Sequence, residues 1–521
     1  MIRRTWAVAL LLAPLAAVAP MSAVQAGSGP GPKPAPLAIS QALVAAFGPG
    51  AAVDDSSTTQ CMGTPAIPLA YRTDRIILRP SPTMSTAEAV NRVVTALNYE
   101  MGPGTFSVGT PDTVTWDPPP VGPVGPVGPV APVHAAARAS SPTDDQSSSW
   151  RVVAVPVTSL VDHDVPVVKV ARRLRAGGLT ASPDYLLWPG DGPLGVWPEG
   201  PPVPTTGPGD PRTGLGDGTM VAVYDTGVPD PSAANLPTQL TRLTSADVEV
   251  PDRNGDGYAD LYYAVHLTAI AGIFATVVPD ASVVGVRIMG ANGVATDFSA
   301  AKRMVNTLRG TNVWPQVIVN SFGSPACDVG PADPGAEMVP LGLQLVAEAV
   351  DKKQQAVIVA AAGNLATDRP FYPAAFQDEF PAMVSVGALD ATTDADGDPW
   401  TSASRSAAPA TFSNYGSWVT AWAPGVSLPT YHAIGLRFGA NGALINGYAD
   451  VNGTSFAAPY VGAMVLERIA RTGETPQDAW DAVRGSGRAC SAAIGGGVAV
   501  ALTAETDTST TSAPRSLPTE C

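Results

Sequence analysis

The sequence predicts an α/β protein whose core is a parallel sheet with helices on both faces, preceded by a small α+β domain. From residue 215 to residue 503, apolar strand-like runs alternate with helical patterns. The runs are continuous, which is typical of strands that are buried on both faces. The expected strands lie near Val221, Val283, Val317, Val357 and Val384, and the expected helices span 297–309, 340–353 and 455–470.

The preceding region, 61–188, contains two strand–helix–strand units. A Ser-Thr-Ala-Glu capping box opens the first helix, and Gly177-Gly178 ends the second. Two successive βαβ units predict a ferredoxin-like fold. The expected strands are 75–78, 105–116, 150–157 and 185–188, and the expected helices are 85–97 and 165–176.

Segments without a core pattern separate and flank these regions. Residues 118–149 repeat Val-Gly-Pro and then become polar, which predicts an extended, flexible insertion inside the small domain. The repeat is too short for a collagen-like segment. We expect an N-terminal extension at 27–60, a linker at 189–214 and a Ser/Thr-rich tail at 504–521.

The first 26 residues have the pattern of a secretory signal peptide. Arg3 and Arg4 precede an apolar run, and Val24-Gln25-Ala26 is a small-residue cleavage site. A membrane anchor is the alternative, but the run is short and Pro14 interrupts it. We therefore expect a secreted, extracellular monomer with no membrane segment in its mature form.

Charge and cysteine content narrow the partners and the compartment. The net charge of −15 and the pI near 4.6 argue against nucleic acid or an anionic membrane as the main partner. In an exported protein, four cysteines form two disulfides with three possible connectivities. Cys490 and Cys521 bracket the C-terminal tail, which suggests one pairing, and the remaining cysteines are Cys61 and Cys327.

Two segments of the α/β region place an acid and a base at element ends. Asp225 follows an apolar strand and precedes Thr226-Gly227. Alone, it is typical of a turn aspartate. His266 opens a very apolar helix, where a lone histidine is more often structural.

Two further segments supply a hydroxyl and an amide. Ser455 lies among small residues at the start of a helix, where backbone N–H groups and the helix dipole favour a developing anion. Gly453 admits a substrate backbone, and Pro459 falls in the first turns, where its missing N–H costs least. Alone, Ser455 would be an N-cap. Asn364 ends another apolar strand and is a candidate oxyanion donor or a turn residue.

Together these motifs resemble the subtilisin-like serine proteases, the subtilase family. The chain contains Asp-Thr-Gly, His-x-Thr-x-x-Ala-Gly, Ala-Ala-Gly-Asn and Gly-Thr-Ser-x-Ala-Ala-Pro in that order. Residues 320–323, 412–416 and 423–425 resemble further family segments, and the likeness covers about residues 215–470.

The resemblance implies a serine endopeptidase acting on protein or peptide substrates without a cofactor. Ser455 is the implied nucleophile, His266 the base and Asp225 its orienting carboxylate, with Asn364 binding the oxyanion. Backbone at two strand ends is expected to pair with substrate: Ser321, Phe322 and Gly323, and Ala361, Ala362 and Gly363.

Two features qualify this hypothesis. The family usually has Gly after the catalytic His, whereas this chain has Leu267, which we expect to narrow the site or alter leaving-side contacts. Region 61–188 resembles the ferredoxin-like propeptide of such enzymes, an intramolecular inhibitor that is removed by self-cleavage, here within 189–214. A permanent accessory domain is the alternative.

A calcium loop is a secondary hypothesis. Asp252, Asn254, Asp256 and Asp260 space oxygen ligands as in a short calcium-binding loop just before His266. A polar turn is the alternative. Structural Ca²⁺ would rigidify the catalytic side, although the chemistry does not require it.

Two other functions compete with proteolysis by a Ser–His–Asp triad. A catalytically weak or inactive binding protein on the same scaffold would have lost a triad residue, but all are present. A serine-carboxyl peptidase uses Glu and Asp in place of His, and His266 argues against it.

Overall fold

The computed structural model describes the small domain, the α/β domain and short pieces between them. The predicted signal peptide, the 118–149 insertion and the tail lie outside the described residues, as do most of the 27–60 extension and most of the 189–214 linker. The described ranges are 51–54, 69–116, 150–161, 164–189, 201–208 and 214–500, with gaps at 245–246, 253–254, 260–261, 291–292, 312–313, 329–336, 392–406, 439–441 and 492–494.

The small domain is an antiparallel sheet covered on one face by two helices. Its central strand, Leu69–Arg79 (β1), lies between Thr180–Leu187 (β5) and Trp150–Ser159 (β4). On the far side of β4, two short strands pair with it, Phe106–Val108 (β2) and Asp112–Trp116 (β3). Ala51–Asp54 adds a short strand against β1. The elements are β1 Leu69–Arg79, α1 Thr86–Met101, β2 Phe106–Val108, β3 Asp112–Trp116, β4 Trp150–Ser159, α2 Val167–Ala176 and β5 Thr180–Leu187.

The period of two along β1 divides its side chains between two cores. Ile76 and Leu78 pack under α1 and α2, whereas Ile77 points to the opposite face and joins the core of the α/β domain. Ser85 caps α1 by accepting from the Glu88 N–H at 3.1 Å. The sheet is therefore apolar on both faces, because it is covered on both.

The α/β domain contains the predicted parallel sheet and helices. Its main elements are β6 Met220–Asp225, α3 His266–Val277, β7 Ser282–Arg287, α4 Asp297–Gly310, β8 Val317–Asn320, α5 Leu341–Lys353, β9 Val357–Ala361, β10 Met383–Ala391, β11 Ala421–Pro424, β12 Leu428–Arg437, β13 Leu444–Val451, α6 Thr454–Thr472, α7 Pro476–Ser486 and β14 Val498–Ala499. Shorter strands are Val203–Pro204, Val228–Pro229, Leu240–Arg242, Val248–Glu249, Ala295–Thr296, Ser324–Pro325, Cys327–Asp328, Glu337–Met338, Phe371–Tyr372, Ala407–Pro409 and Arg488–Ala489, and short 3₁₀ helices span Tyr262–Val265 and Ala374–Asp378.

The sheet order places the candidate site at one edge of adjacent strands. From Leu240–Arg242 the order runs β7-β6-β8-β9-β10-β11-β14, with every one of these pairings parallel. Helices α3, α6 and α7 cover one face, and α4 and α5 cover the other. The predicted α/β class is confirmed, and the carboxyl ends of β6, β8 and β9 lie side by side.

The small domain docks on the α4 and α5 face of the α/β domain. Leu186 and Leu187 of β5 pair with Ala295–Thr296, so the small sheet gains a strand from the larger domain. Ile77, Val152 and Leu187 share a core with α4 and α5. Charged contacts border this core, among them Lys302 with Asp112 at 2.6 Å, Arg79 with Glu348, and the Arg309 guanidinium with the Thr115 carbonyl at 3.1 Å.

Two buried carboxylates meet at this interface. Asp184 of β5 accepts from the Phe298 N–H at 3.0 Å, and Asp297 accepts from the N–H groups of Gly342 and Leu343 at 2.8 Å each. Burial raises the pKa of both, and the charge of Asp184 helps raise the pKa of Asp297 to about 7. Arg75, 3.2 Å from Asp184, opposes the shift at Asp184.

Two cysteines lie within the described residues, and both are disulfide-bonded: Cys327 and Cys490. Cys61 and Cys521 lie outside the described residues, so the predicted pairing of Cys490 with Cys521 stays a prediction. In the part of the chain that the structure describes, no helix has the length and apolar character needed to cross a membrane.

Candidate active site

Asp225 is fixed by backbone hydrogen bonds at the end of β6. Its carbonyl accepts from the N–H groups of Ile288 and Met289, at 2.8 and 3.1 Å, where β7 has ended. Its Oδ1 accepts from the Thr226 N–H at 2.7 Å. The side chain is fully buried. The orientation of the carboxylate is thus set before any substrate is present.

His266 is the first residue of α3 and lies directly against this carboxylate. Its Nδ1 is 2.8 Å from Asp225 Oδ1. With Nδ1–H donating to the carboxylate, Nε2 becomes the free lone pair that a general base requires. Two aromatic rings hold the imidazole, Tyr263 at 5.7 Å and Phe456 at 5.4 Å between ring centroids.

Ser455 is the second residue of α6, and Phe456, which packs on His266, follows it directly. The N-cap is Gly453 with φ of 138°, a value that favours glycine. The N-cap alternative for Ser455 is therefore wrong. Ser455 Oγ donates to the Ser321 carbonyl at 3.2 Å.

Pro459 is deeper in the helix than the sequence predicted. It is the sixth residue of α6, inside the helix, where a backbone N–H would normally donate to the carbonyl four residues earlier. The expectation that its missing N–H falls on an already unpaired position is wrong. The carbonyl affected is that of Ser455.

Asn364 lies three residues beyond the end of β9, and its side-chain oxygen ties it to α6. Oδ1 accepts from Thr454 N at 2.9 Å and from Thr454 Oγ1 at 2.8 Å. The Thr454 hydroxyl oxygen in turn accepts from the Gly363 N–H at 3.0 Å. The side-chain oxygen therefore faces α6, and the donor of the amide is Nδ2.

Asn414 is a positioning residue whose role the sequence did not reveal. Its Nδ2 donates to the Ala362 carbonyl at 2.7 Å and its Oδ1 accepts from the Leu365 N–H at 2.8 Å. A Cβ on Gly363 would lie 2.5 Å from Asn414 Nδ2, so this loop requires glycine there. The Phe-Ser-Asn-Tyr-Gly segment was the available signal.

The six residues predicted to bind substrate lie at the carboxyl ends of two adjacent strands. Ser321, Phe322 and Gly323 follow β8, while Ala361 ends β9 and is followed by Ala362 and Gly363. Trp188, just after β5, forms an antiparallel bridge with Gly323. The bridge has two hydrogen bonds, Trp188 N–H to the Gly323 carbonyl at 3.0 Å and the reverse at 2.9 Å. The sequence did not predict this contact.

Leu267 does not narrow the cleft, so that prediction is wrong. Its side chain is fully buried in the core between α3 and the sheet. It points at Gly285 of β7, where an added Cβ would lie 3.1 Å from a Leu267 methyl group. The space that Gly285 leaves is filled by Leu267, and the leucine acts in packing instead of substrate contact.

A second histidine of the α/β domain, His432, lies buried on β12. Burial, and then the charge of His266, lower its pKa to about 3. It packs edge-on against Phe438 with ring centroids 4.9 Å apart. His432 is therefore neutral near pH 7.

The calcium prediction stays a prediction. Asn254 and Asp260 lie outside the described residues. Asp252 accepts from the N–H groups of Gly255 and Gly257, at 2.7 and 2.9 Å, and Asp256 accepts from Tyr258 N–H at 2.8 Å. Among the residues with described positions, no cluster of three or more His, Cys, Asp or Glu side chains could hold a metal.

The chain is similar to several known proteins. The profile of the Subtilase family, Peptidase S8, matches residues 216–483. A "Thermophilic serine proteinase" from Bacillus sp. (strain AK1) is 27% identical over 258 residues, 47% of this chain and 51% of the relative. "Alkaline elastase YaB" from Bacillus sp. (strain YaB) is 26% identical over 247 residues, 47% of this chain and 53% of the relative.

The chain spans about half the length of these curated relatives. A solved structure of a cold-adapted subtilisin-like serine proteinase overlaps 53% of this chain and 84% of its own, at 21% identity and a TM-score of 0.36. A TM-score this low supports no argument about the fold. The family profile covers more than half of the chain and includes all four predicted catalytic positions. The chain therefore belongs to the subtilase family.

Proposed function

We propose that the protein is a secreted serine endopeptidase that hydrolyses peptide bonds through Asp225, His266 and Ser455. One observation carries the proposal. His266 Nδ1 lies 2.8 Å from the buried Asp225 carboxylate, and this contact holds the imidazole beside the start of α6, where Ser455 lies. An imidazole held in one tautomer beside a helix N-terminal serine is the arrangement that nucleophilic acyl transfer requires.

In the proposed reaction, Ser455 Oγ attacks the scissile carbonyl while His266 Nε2 takes its proton. Asp225 stabilises the imidazolium that forms. The oxyanion receives hydrogen bonds from Asn364 Nδ2 and the Ser455 N–H. His266 then protonates the leaving amine, the C–N bond breaks, and a water molecule hydrolyses the Ser455 ester by the same steps in reverse. No cofactor takes part.

We further propose that the small domain is an inhibitory propeptide. Trp188 already pairs with Gly323 in both directions, as an extended substrate would. Gly323 lies two residues beyond Ser321, whose carbonyl contacts Ser455 Oγ. A peptide chain in this register occupies the substrate strand and excludes other peptides. We expect the processing bond close to Trp188, at the start of the 189–214 linker.

Export of the precursor completes the proposal. The signal-like residues 1–26 would direct secretion, and disulfide-bonded Cys327 and Cys490 suit an oxidising compartment. The released enzyme would act as a monomer on protein or peptide substrates. Structural Ca²⁺ at Asp252 and its neighbours would be an added stabiliser, and chelation would then lower the melting temperature.

The test compares secreted wild type with Ser455→Ala by intact mass and by cleavage of a peptide library. We expect wild type to lose residues up to the 189–214 linker and to cleave peptides, and Ser455→Ala to do neither. An inactive binding protein would give two identical masses and no peptide cleavage. If Ser455→Ala were processed and wild type were active, another protease would perform the activation cleavage.

A further inference from the structure

Pro459 leaves the Ser455 carbonyl without its ordinary helical donor. In an α-helix that carbonyl accepts from the N–H four residues later, and proline has none. Ser455 is buried, with 2% of its surface exposed, so an unpaired carbonyl there would be costly. Ser455, the proposed nucleophile, is therefore the residue of α6 whose carbonyl loses its helical donor to a proline.

Ser321 supplies that partner. Its hydroxyl donates to the Ser455 carbonyl at 2.7 Å, the usual distance for an O–H···O hydrogen bond. Ser321 is fully buried and follows β8 in the strand segment predicted to bind substrate. Its own carbonyl accepts from Ser455 Oγ at 3.2 Å. Two hydrogen bonds of opposite direction therefore join the substrate strand to the residue that carries the nucleophile.

We propose that the Ser321 hydroxyl is a positioning group, which holds the Ser455 carbonyl that Pro459 leaves without a helical donor and so fixes the nucleophile against the substrate strand. This inference rests on the proposed protease function for its kinetic consequences. The role of the Ser321 side chain is separate from that of its backbone, which is left intact when the side chain is truncated.

This arrangement predicts that Pro459→Ala rescues the defect of Ser321→Ala. In Pro459→Ala, residue 459 regains an N–H that points along the helix at the Ser455 carbonyl. That N–H can replace the Ser321 hydroxyl. Ser321→Ala should therefore be damaging in the native background and nearly harmless when combined with Pro459→Ala.

The experiment is a double-mutant cycle of Ser321→Ala and Pro459→Ala in the full chain. We expect Ser321→Ala to lower kcat on the order of tenfold, with KM within about threefold, because misplaced nucleophiles lose rate more than binding. The double variant should recover to within about threefold of Pro459→Ala alone. Ser385→Ala is the matched control, because Ser385 is also fully buried and its hydroxyl has no hydrogen-bond partner among the residues that the structure describes.

Melting temperatures of the same four proteins in a Ser455→Ala background test the contact without any protease activity. There, Ser321→Ala should melt lower and Pro459→Ala should restore the loss. If Ser321→Ala does not fold, folding of the double variant would support the contact equally. Wild-type kcat in Ser321→Ala, or no recovery of kcat and melting temperature in the double variant, would overturn the inference. An inactive wild type with an intact thermal cycle would instead refute the protease function.

Discussion

The catalytic cleft and the docking interface of the small domain are built from different interactions. In the cleft, neutral backbone and amide hydrogen bonds place each group: Ile288 and Met289 hold Asp225, and Thr454 holds Asn364. At the interface, buried acids and ion pairs join the two domains, with Asp184 and Asp297 at the centre. Backbone and amide hydrogen bonds therefore place Asp225 and Asn364 in the cleft, whereas the interface contains carboxylates whose pKa values are raised by burial.

The largest expected effect is on the cleft. Asp225→Asn preserves the shape of the side chain but offers an N–H where His266 requires an acceptor, so the imidazole takes the wrong tautomer. We expect kcat to fall by about 10⁴, as in triads of this kind. Peptide hydrolysis by purified enzyme is the measurement. Near-normal kcat would show that the Asp225–His266 contact does not serve the reaction.

Asn364→Leu removes the proposed oxyanion donor. We expect kcat to fall by about 10²–10³ with a small change in KM, because the donor acts in the transition state. Asn364 also anchors Thr454, so a circular dichroism melt should accompany the kinetics. Thr454→Ser keeps the hydroxyl contact and is the control. A rise in KM at constant kcat would instead assign Asn364 to ground-state substrate binding.

Leu267→Ala separates packing from catalysis. Because Leu267 fills the core beside Gly285, its truncation should lower the free energy of unfolding by about 2–5 kcal/mol. The relative rates of cleavage of different peptides should stay as in wild type. If Leu267→Ala broadened the cleavage profile without lowering stability, Leu267 would instead line the substrate cleft.

The pH dependence of docking should be the smallest effect. The ordinary pKa of Asp297 is 3.8, and burial, together with the charge of Asp184 from the small domain, raises it to about 7. A raised carboxylate pKa means that the docked state binds protons more tightly. Docking is therefore strongest in acid and weakens as pH rises from about 4 through about 7.

Melting of the Ser455→Ala precursor tests this sign. Between pH 5 and 8, its melting temperature should fall, and Asp297→Asn should melt higher than its parent at pH 8 by roughly 5 °C. Asn keeps one of the two oxygens that accept from the N–H groups of Gly342 and Leu343, and it removes the charge. If the melting temperatures of the two proteins changed equally with pH, Asp297 would not control the pH dependence of docking.

Sequence patterns were sufficient for the fold class and for the element ends at which the candidate site residues lie, because both follow from local order. Continuous apolar runs gave the strands, and Asp225, His266 and Ser455 lie at the element ends where the motifs placed them. What local order does not contain is the direction of a side chain. Leu267 was expected in the cleft, but helix phase turns it into the core.

Contacts between distant segments were also beyond the sequence. The Trp188–Gly323 bridge, the Asp184–Phe298 contact and the Ser321–Ser455 pair join residues more than a hundred positions apart. Pro459 was visible in the sequence, but the hydrogen bond that replaces its missing N–H was not, because the donor is Ser321, which follows β8.

The central claim is that Ser455 is an activated nucleophile, and covalent labelling tests it most directly. A fluorophosphonate probe should react with the processed enzyme, and peptide mapping should place the adduct on Ser455. Labelling should disappear in Ser455→Ala and fall sharply in Asp225→Asn. An enzyme free of its small domain that takes up no probe, or takes it up at another residue, would contradict the account.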